Sequence, residues 1–265
     1  LTFVIGRPGN TDRLYTSYQL MYLKNFSVAK RYDLLKIIYN IYYDTYTKGD
    51  LKNQKLLNML MGIGNSKKAY EGMYNALQNN KLFKLKEELE SFVSKKIFED
   101  AVLGKKYGHV LENISVIFEE YSKIGNEFET LQNLRRNQII YWDVPLKLIK
   151  YIEQISLPDS LRDTKFKDMG LAKFKEELLS VDLENDLQKK LFIGIIDYLK
   201  KNLGDNHYLF ENLNNNNNLA LSIINNSFMS NKIKYENLLN SKQFDIKEIN
   251  DPLIILLSRF QTKLQ

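Results

Sequence analysis

The chain has 265 residues, of which 44% are hydrophobic and 26% are charged, which is ordinary for a globular protein of one large domain or two small ones. It has no cysteine, which excludes disulfides, thiolate nucleophiles and cysteine metal sites. No run approaches about eighteen apolar residues, so the sequence predicts no membrane-spanning helix. A cysteine-free composition fits both a cytosolic protein and a bacterial envelope protein, and the compartment stays open.

The first predicted element is a strand at residues 1–5 (LTFVI), followed by a turn at residues 6–9 (GRPG). A single strand cannot pair with itself, so its partners are expected in sequence outside this chain. The chain begins with leucine rather than methionine, which also favours an upstream segment.

Beyond residue 23 the apolar residues recur at steps of three and four, the period of a helix with one apolar face. These periodic sets occupy residues 32–46, 82–93, 111–121, 146–152, 187–199 and 253–264. The last set has a start signal, because Asp251 can cap a helix and Pro252 suits its first position.

Turn-forming residues predict where these helices end. They cluster at residues 49–50, 125–126, 157–159 and 204–206. The sequence therefore predicts an all-α fold of about six to nine packed helices, with one strand and turn at the N-terminus.

The net charge of +6 raises the alternative of a nucleic-acid-binding protein. Basic residues occur as scattered pairs, such as Lys30-Arg31, Lys67-Lys68 and Arg135-Arg136, and most have an acidic residue nearby in the sequence. This pattern is typical of solvated helix faces rather than of a continuous phosphate-binding stripe. Nucleic-acid binding therefore stays a minor alternative.

Candidate catalytic residues are few. The two histidines, His109 and His207, are far apart in sequence. His109 and Glu112 could share a helical face, but no third ligand is evident, so we predict surface or half-buried histidines and no metal site. No serine has the glycine-rich context of a nucleophile elbow. Trp142 is interpreted as a packing anchor.

Two motifs resemble one known family. Residues 6–13 (GRPGNTDR), continuing through residues 15–18, are similar to the Gly-Tyr-Pro-Gly-Ser/Thr-Thr-Asn/Asp-Arg stretch of the bacterial dipeptidyl-peptidase 7 and dipeptidyl-peptidase 11 family. Residues 65–72 (NSKKAYEG) resemble its Asn-x-Trp-Lys-x-x-x-Gly element. Looser similarity extends over essentially the whole chain. Arg7 and Lys67 depart from the family pattern, where aromatic residues are usual.

The resemblance implies a serine exopeptidase in which a chymotrypsin-like double barrel is interrupted by a large helical domain. Residues 1–23 would be the strand and turn that connect the missing barrel to the helical domain. Residues 24–265 would be that helical domain, which covers the substrate cleft. The catalytic serine, histidine and aspartate would lie on the barrels, so this chain alone is expected to be inactive, without a cofactor, metal or catalytic residue of its own. The implied location is periplasmic or secreted.

Asn65 is the one implied substrate contact. The matching family asparagine accepts a hydrogen bond from the free N-terminal ammonium of a peptide, which is a donor-only group. From the residues alone, Asn65 after Gly62 and Gly64 could instead be a helix cap. Either way we expect it at or just before a helix start, exposed on a concave face.

The expected partners are peptides with a free N-terminus and the barrel domains of the same protein, with no nucleic acid and no membrane. Besides the nucleic-acid alternative, a stand-alone helical interaction module remains open. The sequence does not indicate the oligomeric state or the side-chain preference at the cleaved bond.

Overall fold

The chain is all-α. A computed structural model describes residues 14–48, 54–135, 139–181, 185–213, 218–240 and 249–264. Within these ranges the regular elements are helices, and no strand occurs. The predicted strand at residues 1–5, the turn after it and Arg7 lie outside the described residues. The proposed boundary at residue 23 stays a prediction.

Twelve α-helices form the described part of the chain. In chain order they are α1 (Ser17–Tyr22), α2 (Val28–Lys48), α3 (Gln54–Leu77), α4 (Asn80–Glu99), α5 (Ala101–Tyr107), α6 (Val110–Gln132), α7 (Ile140–Ile155), α8 (Asp168–Leu179), α9 (Asp186–Leu203), α10 (Leu219–Asn226), α11 (Lys232–Asn240) and α12 (Pro252–Leu264). A π-helical segment, Leu23–Ser27, joins α1 to α2. Short 3₁₀ turns lie at Asp159–Leu161, Thr164–Phe166, Tyr208–Phe210 and Phe228–Ser230.

All six periodic sets lie in helices, and several predicted ends are confirmed. The helix α7 ends just before the predicted break at residues 157–159, and α9 ends just before the break at residues 204–206. The start of α12 is also confirmed. Asp251 Oδ1 accepts hydrogen bonds from the backbone N–H groups of Leu253 (2.9 Å) and Ile254 (3.1 Å).

The predicted break at residues 125–126 is wrong, because α6 continues through it. A Cβ on Gly125 would approach the Phe26 ring to 2.9 Å and the Tyr22 ring to 3.0 Å. Glycine is therefore needed here for close packing rather than for a turn. The predicted number of helices is also too low, because several helices, including the long α3 and the short α1, α5 and α10, contain none of the six periodic sets.

The chain divides into two compact units. The first comprises Leu1–Tyr32 and Lys68–Asn126, and the second comprises Asp33–Lys67 and Glu127–Gln265. The second unit holds the main hydrophobic core, which is drawn largely from α7, α9, α10 and α12. Trp142 is fully buried there and meets the Phe260 ring edge-on, with 4.8 Å between ring centroids. The prediction that Trp142 is a packing anchor is confirmed.

The first unit has a small core of its own. Val28, Leu77 and Phe83 are its buried apolar cluster. Ser17 is tied to α4 because its backbone N–H and its hydroxyl both donate to the carboxylate of Glu90, each at 2.6 Å. Many large apolar side chains of this unit stay exposed, among them Leu85 (65%), Leu89 (52%) and Phe92 (58%) on α4.

No helix in the described ranges is long and apolar enough to cross a membrane.

Candidate functional site

Asn65 lies in the interior of α3, far from both ends of that helix. The prediction that it begins or precedes a helix is therefore wrong, and so is the cap interpretation. Gly62 and Gly64 suggested a break, but α3 continues through both glycines. The predicted exposure of Asn65 is confirmed.

Asn65 belongs to an exposed, mostly polar face of α3. Residues spaced by three or four share one side of a helix. On this side the exposed residues of the second unit are Gln54, Asn58, Met61, Gly62 and Asn65, which we call the Asn65 face. Charged side chains adjoin these residues, because the exposed Lys55 and Lys68 lie three residues before Asn58 and three residues after Asn65.

A side of α3 that does not carry Asn65 packs against α2. A Cβ on Gly64 would lie 3.2 Å from Tyr39 Cε2, so the helix backbone passes directly over this ring. The ammonium of Lys67 lies 5.5 Å from the centroid of the same ring, a cation–π contact. Lys67, which departs from the family pattern, therefore faces α2 and not the Asn65 side of the helix.

The Asn65 face offers hydrogen bonds but no acid–base chemistry. Asn58 Oδ1 accepts a hydrogen bond from Gln54 Nε2 at 2.8 Å. No described residue hydrogen-bonds to the Asn65 side chain. Its amide therefore has a free acceptor and two free donors, which suits a polar ligand. The face itself has no general base or nucleophile.

The two histidines have different environments. His109 is exposed between α5 and α6. His207 is half-buried, and its Nε2 lies 3.4 Å from Glu127 Oε1. Among the described residues no serine hydroxyl is hydrogen-bonded to either imidazole, and no group of three or more metal-ligating side chains occurs.

A comparison with protein families decides the assignment. The family model described as Peptidase S46 matches residues 1–264. The chain belongs to the peptidase S46 family. This is the family of dipeptidyl-peptidase 7 and dipeptidyl-peptidase 11, so the resemblance seen in the two motifs is confirmed. No curated protein matches the chain.

The rest of the second family motif also lies on α3 of this S46 chain. Lys68 and Gly72 are exposed residues of the first unit. A Cβ on Gly72 would have no neighbour within 4 Å. Packing therefore gives no reason for glycine at this position.

No local pattern in the sequence of this S46 chain predicted the contacts of His207. Its partners Glu127 and Lys263 are remote in sequence, and only the fold brings them together. The motif identified Asn65, but it did not predict that Asn65 lies in the middle of a helix.

Proposed function

We propose that this chain is the substrate-capping helical domain of a serine dipeptidyl-peptidase, and that Asn65 helps to bind the N-terminal ammonium of the peptide. The observation that carries the proposal is the exposed Asn65 side chain, to which no described residue hydrogen-bonds, in a member of the peptidase S46 family. The amide oxygen of Asn65 is free to accept a hydrogen bond, and an ammonium offers three donors and no acceptor.

An ammonium contact on a cap would explain the release of dipeptides. Two extended residues span about 7 Å. An acceptor held at this distance from the nucleophile would leave room for two residues between the N-terminus of the peptide and the cleaved bond, and for no more. The described part of α3 is suited to hold such an acceptor, because the packing of Tyr39 on Gly64 fixes the helix from a side that does not carry Asn65. A carboxylate from elsewhere would neutralise the charge of the ammonium.

The catalytic triad is expected on barrel domains of the same protein, with which this chain would work as one enzyme. A cap has to pack on the domain that it covers, and the exposed apolar side chains of α4 are available for such a contact. The proposal also includes a periplasmic or secreted location, which rests on the resemblance alone, and it requires no cofactor.

A stand-alone helical interaction module is the second candidate. The same exposed side chains on α4, Leu85, Leu89 and Phe92, favour it, since monomeric soluble proteins seldom expose a continuous apolar patch. The two candidates differ in chemistry, because only the cap belongs to a polypeptide that hydrolyses peptides.

Purified chain and full-length peptidase, assayed side by side on dipeptidyl substrates, test the proposal. We expect turnover by the full-length protein and none by residues 1–265 alone, since the triad would be missing. Turnover by the isolated chain that a serine-protease inhibitor abolishes would contradict the capping role. Absence of hydrolysis by the full-length protein would favour the interaction module.

A further inference from the structure

A cluster of four side chains joins three elements of the second unit. His207 and Tyr208 belong to the 3₁₀ turn Tyr208–Phe210 and its cap, Glu127 comes from α6, and Lys263 comes from the last turn of α12. Glu127 Oε1 lies 3.4 Å from His207 Nε2 and 3.3 Å from Lys263 Nζ. We call these four residues the His207 cluster.

One hydrogen bond of His207 assigns its tautomer. His207 Nδ1 accepts a hydrogen bond from the backbone N–H of Leu209 at 3.5 Å, which caps the 3₁₀ turn. An imidazole nitrogen that accepts cannot carry a proton, so the proton of the neutral ring is on Nε2, the nitrogen that lies 3.4 Å from Glu127 Oε1. The His207 ring also packs on the Tyr208 ring, with 4.4 Å between centroids.

Protonation would break this arrangement. A second proton must go to Nδ1, which then faces the Leu209 N–H as a second donor, and the cap is lost. The new charge would lie in a side chain with only 14% exposure. The pKa of His207 is lowered from its ordinary value, chiefly by burial. The nearby Glu127 carboxylate raises this pKa, and the Lys263 ammonium lowers it.

We propose that His207 is a proton-sensitive latch: while neutral it holds the 3₁₀ turn against α6 and α12, and its protonation loosens the turn. The charged groups on the elements around it are Glu127 on α6, Lys263 and Arg259 on α12, and the Lys200–Asp205 pair that precedes the turn. Arg259 donates to the carbonyls of Leu209 and Glu211. Protonation of His207 does not change these two hydrogen bonds, so the latch loosens the turn without unfolding it.

Hydrogen–deuterium exchange of the full-length peptidase, followed by mass spectrometry on the peptide that contains Leu209, tests the latch. After correction for the intrinsic pH dependence of exchange, we expect protection of this peptide to fall severalfold as pH drops below about 6.5, the ordinary pKa of histidine. The variant His207→Asn keeps a capping acceptor and cannot be protonated in this range, so its protection should not change with pH. His109→Gln, at the exposed histidine, is the matched control and should follow the wild type.

Two further variants move the midpoint in opposite directions. Glu127→Gln removes the charge that favours the imidazolium and should shift the midpoint to lower pH. Lys263→Met removes a repulsive charge and should shift it to higher pH. A pH-independent wild type, a pH-dependent His207→Asn variant, or shifts of the same sign for the two charge variants would overturn the proposal.

Discussion

The ring of Tyr39 lies directly against Gly64, and a Cβ at position 64 would come within 3.2 Å of Tyr39 Cε2. This contact brings α3 close to α2 and fixes which side of α3 faces outward. Asn65, the next residue, is exposed as a consequence. The geometry of the proposed ammonium contact therefore depends on a glycine that contributes no side chain.

Two glycines one half-turn apart should respond differently to alanine. Gly62→Ala should stabilise the protein by up to about 1 kcal/mol, because alanine is the better helix former and a Cβ there has no neighbour within 4 Å. Gly64→Ala should stabilise the protein less than Gly62→Ala does, or should destabilise it, because Tyr39 would have to move. Thermal unfolding of both variants measures the difference, and equal gains in Tm would contradict the close contact.

Asp251 should be one of the most sensitive polar residues. Besides capping α12, it accepts the Phe228 backbone N–H at 2.7 Å through Oδ2. Asp251→Ala should cost about 1–3 kcal/mol, since it leaves buried N–H groups without an acceptor. Asn79→Ala is the control, because the exposed Asn79 side chain accepts a hydrogen bond from the Lys81 N–H alone among the described residues. Urea denaturation gives both free energies of unfolding, and a larger loss for Asn79→Ala would contradict the prediction.

Tyr235 should make stability sensitive to alkaline pH. Its buried hydroxyl donates to the carbonyl of Leu178 at 3.0 Å, and burial raises the pKa of Tyr235 above its ordinary value. A raised folded-state pKa means that the contribution to stability is complete below about pH 10 and is lost as pH rises further. Tyr235→Phe should therefore be less stable at neutral pH and lose less between pH 9 and 11.

Chemical denaturation across this pH range measures the effect. Tyr107→Phe, at an exposed tyrosine, should follow the wild type and corrects for the other groups that titrate there. A parallel loss of stability in wild type and Tyr235→Phe would show that Tyr235 does not contribute to the alkaline transition.

The sequence predicted the fold class and the long helices whose apolar faces repeat with a clear period, such as α9 and α12, but not the long helix α3. It failed where glycine serves packing rather than turning. An aromatic ring packs against Gly125 in α6 and another packs against Gly64 in α3, and neither glycine interrupts its helix. A glycine in a sequence does not reveal whether its neighbour is solvent or a tyrosine from another helix.

The candidate site, like the fold, was predictable only in part. The motif identified Asn65, and its exposure followed from the expected role. Its position in the interior of α3, next to the glycine that packs on Tyr39, is revealed only by the fold. The His207 cluster had no local signal, because Glu127, His207 and Lys263 come from three separate elements.

The substitution Asn65→Ala in the full-length peptidase tests the central claim. It removes one charge-assisted hydrogen bond, worth about 1.5–3 kcal/mol, and should lower kcat/KM for a free dipeptidyl substrate roughly ten- to a hundredfold. Stability should not fall, because alanine is favoured over asparagine in an exposed helix interior. Asn58→Ala, on the same face and hydrogen-bonded to Gln54, is the matched control and should stay near wild-type activity.

The most direct measurement compares wild type and Asn65→Ala on a free dipeptidyl substrate and its N-acetylated counterpart, below the α-amino pKa of about 8. The acetylated substrate has no ammonium, so it should be poor with the wild type and little affected by the substitution. The penalty for acetylation should therefore shrink in Asn65→Ala. Equal losses on both substrates would contradict the account, because they would show that Asn65 does not bind the N-terminus of the peptide.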